Sequence, residues 1–177
     1  SLPLVECGEP GAIDLTSEQI YQALLDQEIA AVMNLCDINV WLALSLSGHR
    51  HHKTALDWFN QLTQPDSAAF CRATQQGLLR LLTSETVWKS VGKLPLTNRE
   101  ALELYDQLLG DDRVHFVGEP VGVESYWRNF AALSTASPKV WMDAYLAAIA
   151  QAHGLAVVTF DSGFGKFRGL AWQQLGT

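Results

Sequence analysis

The stretch KVWMDAYLAAIAQAHGLAVVTFDSGF, Lys139 to Phe164, constrains the fold more than any other part of the chain. From Asp143 onward, apolar residues recur at Ala144, Leu146, Ala147, Ile149 and Ala150, the spacing of a helix laid on a sheet. Gly154 supplies a helix stop. Leu155 to Phe160 is short, apolar and partly β-branched, which predicts a strand covered on both faces. Asp161 follows at the strand's carboxyl end, where open α/β sheets keep their ligand sites. A helix and a strand that deliver two acids to one sheet edge predict a metal site.

The same pattern recurs upstream. In MNLCDINVWLALSL, Asn34 to Cys36 reads as a strand, Asp37 ends it and a helix follows. An Asp ending a first strand suits a metal ligand, and also suits a helix N-cap. Helices are predicted over Ala55 to Leu62, Thr74 to Leu82, Asn98 to Leu109 with Thr97 as cap, and Tyr126 to Leu133. Ala68 to Cys71 and Val114 to Val117 read as further strands, and Leu170 to Leu175 as an edge strand or turn. His49, His51 and His52, beside Arg50 and Lys53, read as a solvated helix–helix loop. The alternation predicts an α/β/α sandwich with a small, mostly parallel central sheet.

Composition narrows the class. The chain has 177 residues, 48% apolar and 18% charged, enough for one full core plus an appendage. No apolar run reaches the roughly 18 residues of a membrane span, and no signal peptide is visible, so a cytoplasmic protein is expected. Cys7, Cys36 and Cys71 do not pair evenly, which favours reduced thiols. The net charge of −7 is uneven: residues 1–32 hold six acids and no Lys or Arg. The remaining 13 acids face all 12 basic residues, a net of −1 that leaves room for a local basic groove.

If Asp37, Asp143 and Asp161 meet at one sheet edge, their mutual repulsion must be offset. Oxygen-only ligands select a hard cation, Mg2+ or Mn2+, rather than zinc. Such a site suits phosphodiester hydrolysis. No serine elbow, Cys/His pair, phosphate-binding glycine loop or paired CxxC competes with it. Asn39, Thr159 and Ser162 stand one or two positions from the acids and can orient them or their water. Arg72, Arg80, Lys139, Lys166 and Arg168 are the nearest cations and suit phosphate contacts. The six tryptophans read as core rather than base-stacking platforms.

With these pieces placed, residues 33–177 resemble a PIN-domain ribonuclease of the VapC toxin class. The resemblance is carried by LCDINVWLAL around Asp37, CRATQQGLLRLLT around Gln75, MDAYLAAIAQAHGLAVVT from Asp143, and FDSGF around Asp161. It implies a PIN-like sheet flanked by helices, Mg2+- or Mn2+-dependent endoribonuclease activity on RNA, and a homodimer. The family commonly has a Glu where Gln75 stands; Gln75 keeps an oxygen but no charge, so weaker metal binding is expected. Glu103 and Glu124 are possible replacements, though no spacing requires them.

Residues 1–32 fall outside that resemblance. LPLVECGEPGAIDLTSEQIYQALLDQE resembles the carboxyl-terminal tail of a VapB-type antitoxin, an extended leader and one helix, capped at Thr16 with Gln19 as capping-box partner. Met33 then reads as an original start, and the whole as a partial antitoxin–toxin fusion with residues 1–32 covering the site. No DNA binding is expected, because no amino-terminal DNA-binding domain precedes the tail. The tail has no basic residue to pair with the toxin's acids, so steric cover or acidic mimicry of RNA is the expected mode. Two rivals stand beside this reading: an inactive PIN-like RNA- or partner-binding module, and another Mg2+-dependent α/β hydrolase. The second lacks the paired acid of an aspartyl-phosphatase loop, since Ile38-Asn39-Val40 follows Asp37.

Overall fold

A computed structural model describes residues 16, 17, 19, 33–63, 66–89 and 92–176. The chain divides into two units, residues 1–31 and 32–177. In the first, the Thr16 N–H donates to Gln19 Oε1 at 2.9 Å and the Gln19 N–H to Thr16 Oγ1 at 3.2 Å, the reciprocal cap expected from sequence. The rest of the expected leader and helix, with its apolar positions Ile20, Leu24 and Ile29, lies outside the described residues.

The second unit is built on five parallel strands in the order β3-β2-β1-β4-β5. They are β1 (Met33–Cys36), β2 (Ser67–Phe70), β3 (Val114–Phe116), β4 (Ala156–Thr159) and β5 (Trp172–Gln174). Among the described residues, seven helices connect them: α1 (Ile38–Ser45), α2 (His52–Gln61), α3 (Arg72–Leu82), α4 (Glu85–Lys89), α5 (Asn98–Leu109), α6 (Val123–Ala131) and α7 (Val140–His153). A 3-10 turn (Ser162–Lys166) lies between β4 and β5. β1 and β4 are neighbours, in the register Cys36 opposite Val158, so their carboxyl ends lie side by side. Leu35 and Val157 face one core with α6 and α7; Cys36 and Val158 face the other with α1 to α5. Both faces are thus covered, which is why β1, β2 and β4 read as apolar runs rather than alternating ones.

Several boundaries differ from the sequence reading. α7 opens at Val140, three residues before Asp143, because Val140 is itself buried. Gly154 ends it at φ 68°, a left-handed cap that leaves other residues strained. Cys71 is not in β2: it caps α3 in a box with Thr74, whose Oγ1 accepts from the Cys71 N–H at 3.0 Å. α4, with Trp88 buried, had no counterpart in the sequence reading. The carboxyl-terminal segment is an edge strand rather than a turn. Trp41, Trp58 and Trp88 are core, whereas Trp141 is 53% exposed and tilts against Trp127.

An ion pair locks β3 to the α2 layer. Arg113 donates to both oxygens of Asp111, at 2.9 and 2.7 Å, and to the Phe59 carbonyl at 3.1 Å, with its guanidinium over the Phe59 ring. Hydrogen bonds from Arg113 pull the Asp111 carboxyl down to about 2. A depressed value stabilises the fold above the ordinary carboxylate range, and the benefit vanishes as pH falls through 2. Asp111→Asn should therefore cost about 1 kcal/mol at neutral pH, the partly exposed pair being screened. In urea denaturation the difference should close as pH approaches 2.

Candidate active site

Asp37 is placed by the end of β1. Its N–H donates to the Val158 carbonyl at 2.9 Å, which extends the β1–β4 ladder by one residue. Its carbonyl starts α1, and its side chain makes no cap hydrogen bond and is left for other partners. Oδ2 accepts from Asn39 Nδ2 and from Thr159 Oγ1, both at 2.7 Å. Asn39 Nδ2 also reaches Thr159 Oγ1 at 3.0 Å, and Asn39 Oδ1 accepts the Phe160 N–H at 3.1 Å. Thr159 Oγ1 in turn accepts the Asp161 N–H at 3.0 Å. One Asn and one Thr thus tie the carboxyl ends of β1 and β4 together around Asp37.

Burial pushes the Asp37 carboxyl up from 3.8. The Thr159 and Ile38 hydrogen bonds oppose this, and the charges of Asp143 and Asp161 add to it. The structure therefore brings the three acids within electrostatic reach. Asp143 sits in the first turn of α7, partly buried, and accepts from Lys166 Nζ at 3.0 Å. Asp161 caps the 3-10 turn through the Gly163 N–H at 2.8 Å and is exposed. Asp37 and Asp143 line a narrow cleft of about 30 Å3 with Ile38, Thr74, Met142 and Phe164.

Among the described residues, no group of three or more His, Cys, Asp or Glu stands close enough together to hold a metal ion. The donor chemistry nevertheless suits a hard cation. All three groups are carboxylates, the charge on Asp37 is disfavoured, and the Lys166 ammonium already balances Asp143.

The other expected site residues are more dispersed. Gln75 does not line the cleft; Thr74 does. Gln75 Oε1 instead accepts from Arg72. Arg72 is exposed and lies over the Phe116 ring at the end of β3. Arg80 lines a different hollow on the other side of Ile38, with Gly77, Leu81 and Ser84. Lys166 is paired to Asp143 rather than directed at a phosphate. Ser162, Lys139 and Arg168 are exposed, Ser162 in a separate polar basin. The histidine loop expected to be solvated is partly buried: His51 stacks on Phe160, with ring centroids 4.4 Å apart.

Gly77 packs against Ile38, which lines the cleft beside Asp37. A Cβ there would stand 2.1 Å from Ile38 Cδ1 and 2.9 Å from Cγ1, so any larger residue makes the Ile38 side chain move. Gly77→Ala gains about 1 kcal/mol of helix propensity but displaces Ile38, the neighbour of Asp37. The expected result is a roughly 10-fold loss of activity with little loss of stability, as a small misplacement at a reacting centre is costly. Ile38→Val in the same chain should restore part of it; no restoration would exonerate the Ile38 contact.

Residues 35–170 match the PIN domain family. The chain is 52% identical over 139 residues to the ribonuclease VapC41 of Mycobacterium tuberculosis, spanning 78% of this chain and 95% of that one. Among solved structures, the fold is similar to VapBC-1 of nontypeable Haemophilus influenzae, at TM-score 0.59 and 14% identity over 81% of this chain and 98% of that one. It is also similar to M. tuberculosis VapC20, a sarcin–ricin-loop-cleaving toxin, at TM-score 0.54 and 18% identity over 75% and 92%.

Proposed function

Because the chain belongs to the PIN-domain family, we propose that it is a toxin-type, metal-dependent endoribonuclease that cuts RNA phosphodiester bonds. Asp37 carries this reading: it is a half-buried carboxylate, fixed by Asn39 and Thr159, with Asp143 and Asp161 near enough to disfavour its charge further. The 52% identity to a chain named a ribonuclease supports RNA as the substrate. When bound by the three acids, Mg2+ or Mn2+ supplies Lewis-acid charge at the reacting phosphate. Asn39 and Thr159 hold Asp37 through its Oδ2 and so fix the orientation of the carboxylate. Thr74 and Ile38 narrow the cleft and exclude bulk water. Arg80 meets the RNA backbone in the hollow beyond Ile38, and Arg72 meets it at the end of β3. Gln75 assists as a positioning residue by holding the Arg72 guanidinium.

Residues 1–32 are proposed to act as an antitoxin-like cover for residues 33–177, and a homodimer is the proposed assembly. Mn2+-dependent cleavage of a structured RNA, followed for the full chain and for residues 33–177, tests these together. Cleavage confined to the shortened chain supports the cover; equal cleavage removes it. Cleavage that survives Asp143→Ala rules out the acids as the site.

A second reading, an inactive RNA- or partner-binding module, is favoured by one observation. Lys166 already neutralises Asp143, and among the described residues no three acids stand close enough together to hold a metal ion. Lys166→Met decides between them. If the ammonium holds the place of a divalent ion, its loss should tighten Mn2+ binding by up to about 5-fold, the worth of one exposed charge contact. Calorimetry reads this without any turnover, and unchanged or absent Mn2+ binding favours the inactive module.

A further inference from the structure

A polar basin of about 370 Å3 adjoins the acids and is shared with them through Asn39 and Asp161. Its far wall is the loop between α1 and α2. That loop is tightly built: the His49 N–H donates to the Leu46 carbonyl at 2.8 Å, and the His52 N–H to the His49 carbonyl at 2.9 Å. His52 Nδ1 meets the Ala43 carbonyl at 2.8 Å. His49 Nδ1 accepts the His51 N–H at 3.2 Å, which directs the other ring nitrogen outward as a donor.

The wall offers an aromatic platform and an anion contact. His51 and Phe160 stack at 18° between planes, and the Phe160 N–H is fixed by Asn39, the residue that also fixes Asp37. Burial first, then His51, Arg50 and His52, hold the His49 imidazole below its usual range, so Arg50 carries the positive charge at neutral pH. Arg50 is exposed and takes part in none of the ion pairs among the described residues. Asp161, a carboxylate in the lining, repels an anion beside it and leaves Arg50 as the phosphate contact. Ser162 and Gln174 add hydroxyl and amide groups able to meet a ribose or base edge.

The geometry points to a subsite for one nucleotide of the RNA flanking the cut, its phosphate on Arg50 and its base on the His51–Phe160 pair. The volume fits a single nucleotide, the platform suits any base, and Asn39 fixes its distance from Asp37. This inference rests on the ribonuclease reading, and its test is independent of turnover.

The imidazole proton resonances of the full chain can be followed while uridine 5′-monophosphate, uridine or inorganic phosphate is added. The nucleotide should shift the His49 and His51 signals with an affinity about 10-fold above that of phosphate or uridine alone, since base stacking and phosphate pairing are each worth at least that much. Arg50→Ala should weaken the nucleotide about 10-fold, and Arg50→Lys should recover part of the loss. Equal shifts from phosphate alone would make the basin an anion site and overturn the inference. No shifts with any probe would overturn it even if RNA is cut. Nucleotide-specific shifts in a chain that cuts no RNA would uphold the basin and sink the ribonuclease reading alone.

Discussion

Asp37→Asn is expected to remove RNA hydrolysis, by at least ~100-fold in kcat/KM, and at the same time to raise the melting temperature of the metal-free chain. The two effects share a cause. Burial, with Asp143 and Asp161 nearby, makes the Asp37 charge costly in the folded state and lifts its pKa above 3.8. A raised pKa means that the native chain holds the proton more tightly than the unfolded one. The stability this gives is complete below 3.8 and is lost as pH rises through the folded value. At neutral pH the wild-type chain has lost it; asparagine never ionises and keeps the Asn39 and Thr159 hydroxyl and amide partners within reach. Each 1 kcal/mol relieved shifts melting by about 2–4 °C at this size. Thermal unfolding in chelator at pH 7 and below 4 is the measurement. A variant that melts lower than wild type at pH 7 would show that the carboxylate charge stabilises the fold, and the electrostatic account would fail.

The largest stability loss is expected at Trp41. Its ring is fully buried and stacks on Phe70, with centroids 3.7 Å apart and 11° between planes, and Phe70 meets Tyr105 edge-on. Trp41→Ala opens a ring-sized cavity between α1 and β2 and should cost about 3–5 kcal/mol. Trp41→Phe should cost much less. It keeps most of the stacking, and it deletes Nε1, a buried donor with no hydrogen-bond partner among the described residues. Urea denaturation separates the two variants; equal losses would show that the unpaired donor carries no penalty. Because Trp41 and Asn39 share α1, the alanine variant should also lose activity before it unfolds.

The acids at strand ends were legible because β1 and β4 are buried on both faces. Such strands are apolar throughout, so Asp37 and Asp161 mark where burial ends. The Asn98–Leu109 helix was equally plain, its Thr97 cap and Glu100 forming a reciprocal pair. Other features depend on partners distant in sequence and leave little local trace. Cys71 is a rare cap, and its role shows only in the Thr74 hydroxyl. Gln75 follows Thr74 directly, and helix phase alone does not say which of the two meets the cleft. Clustered histidines suggest solvation, yet Phe160, from the far end of the chain, draws His51 out of water. Trp141 is apolar and still exposed, because α7 buries the stripe through Val140, Ala144 and Ala147 instead.

The Asn39–Thr159 tie has a consequence for how the protein is made. Asp37 and Thr159 are 122 residues apart in the chain, and β1 pairs with β4 across that whole span. No shorter amino-terminal fragment brings Thr159 and Asp161 to Asp37, so on the proposed reading a chain emerging from the ribosome lacks its site until β4 is synthesised and docked. Closure of so long a loop also ranks among the slow steps of folding. Topology alone thus sets an interval between the synthesis of Asp37 and the assembly of the site proposed around it.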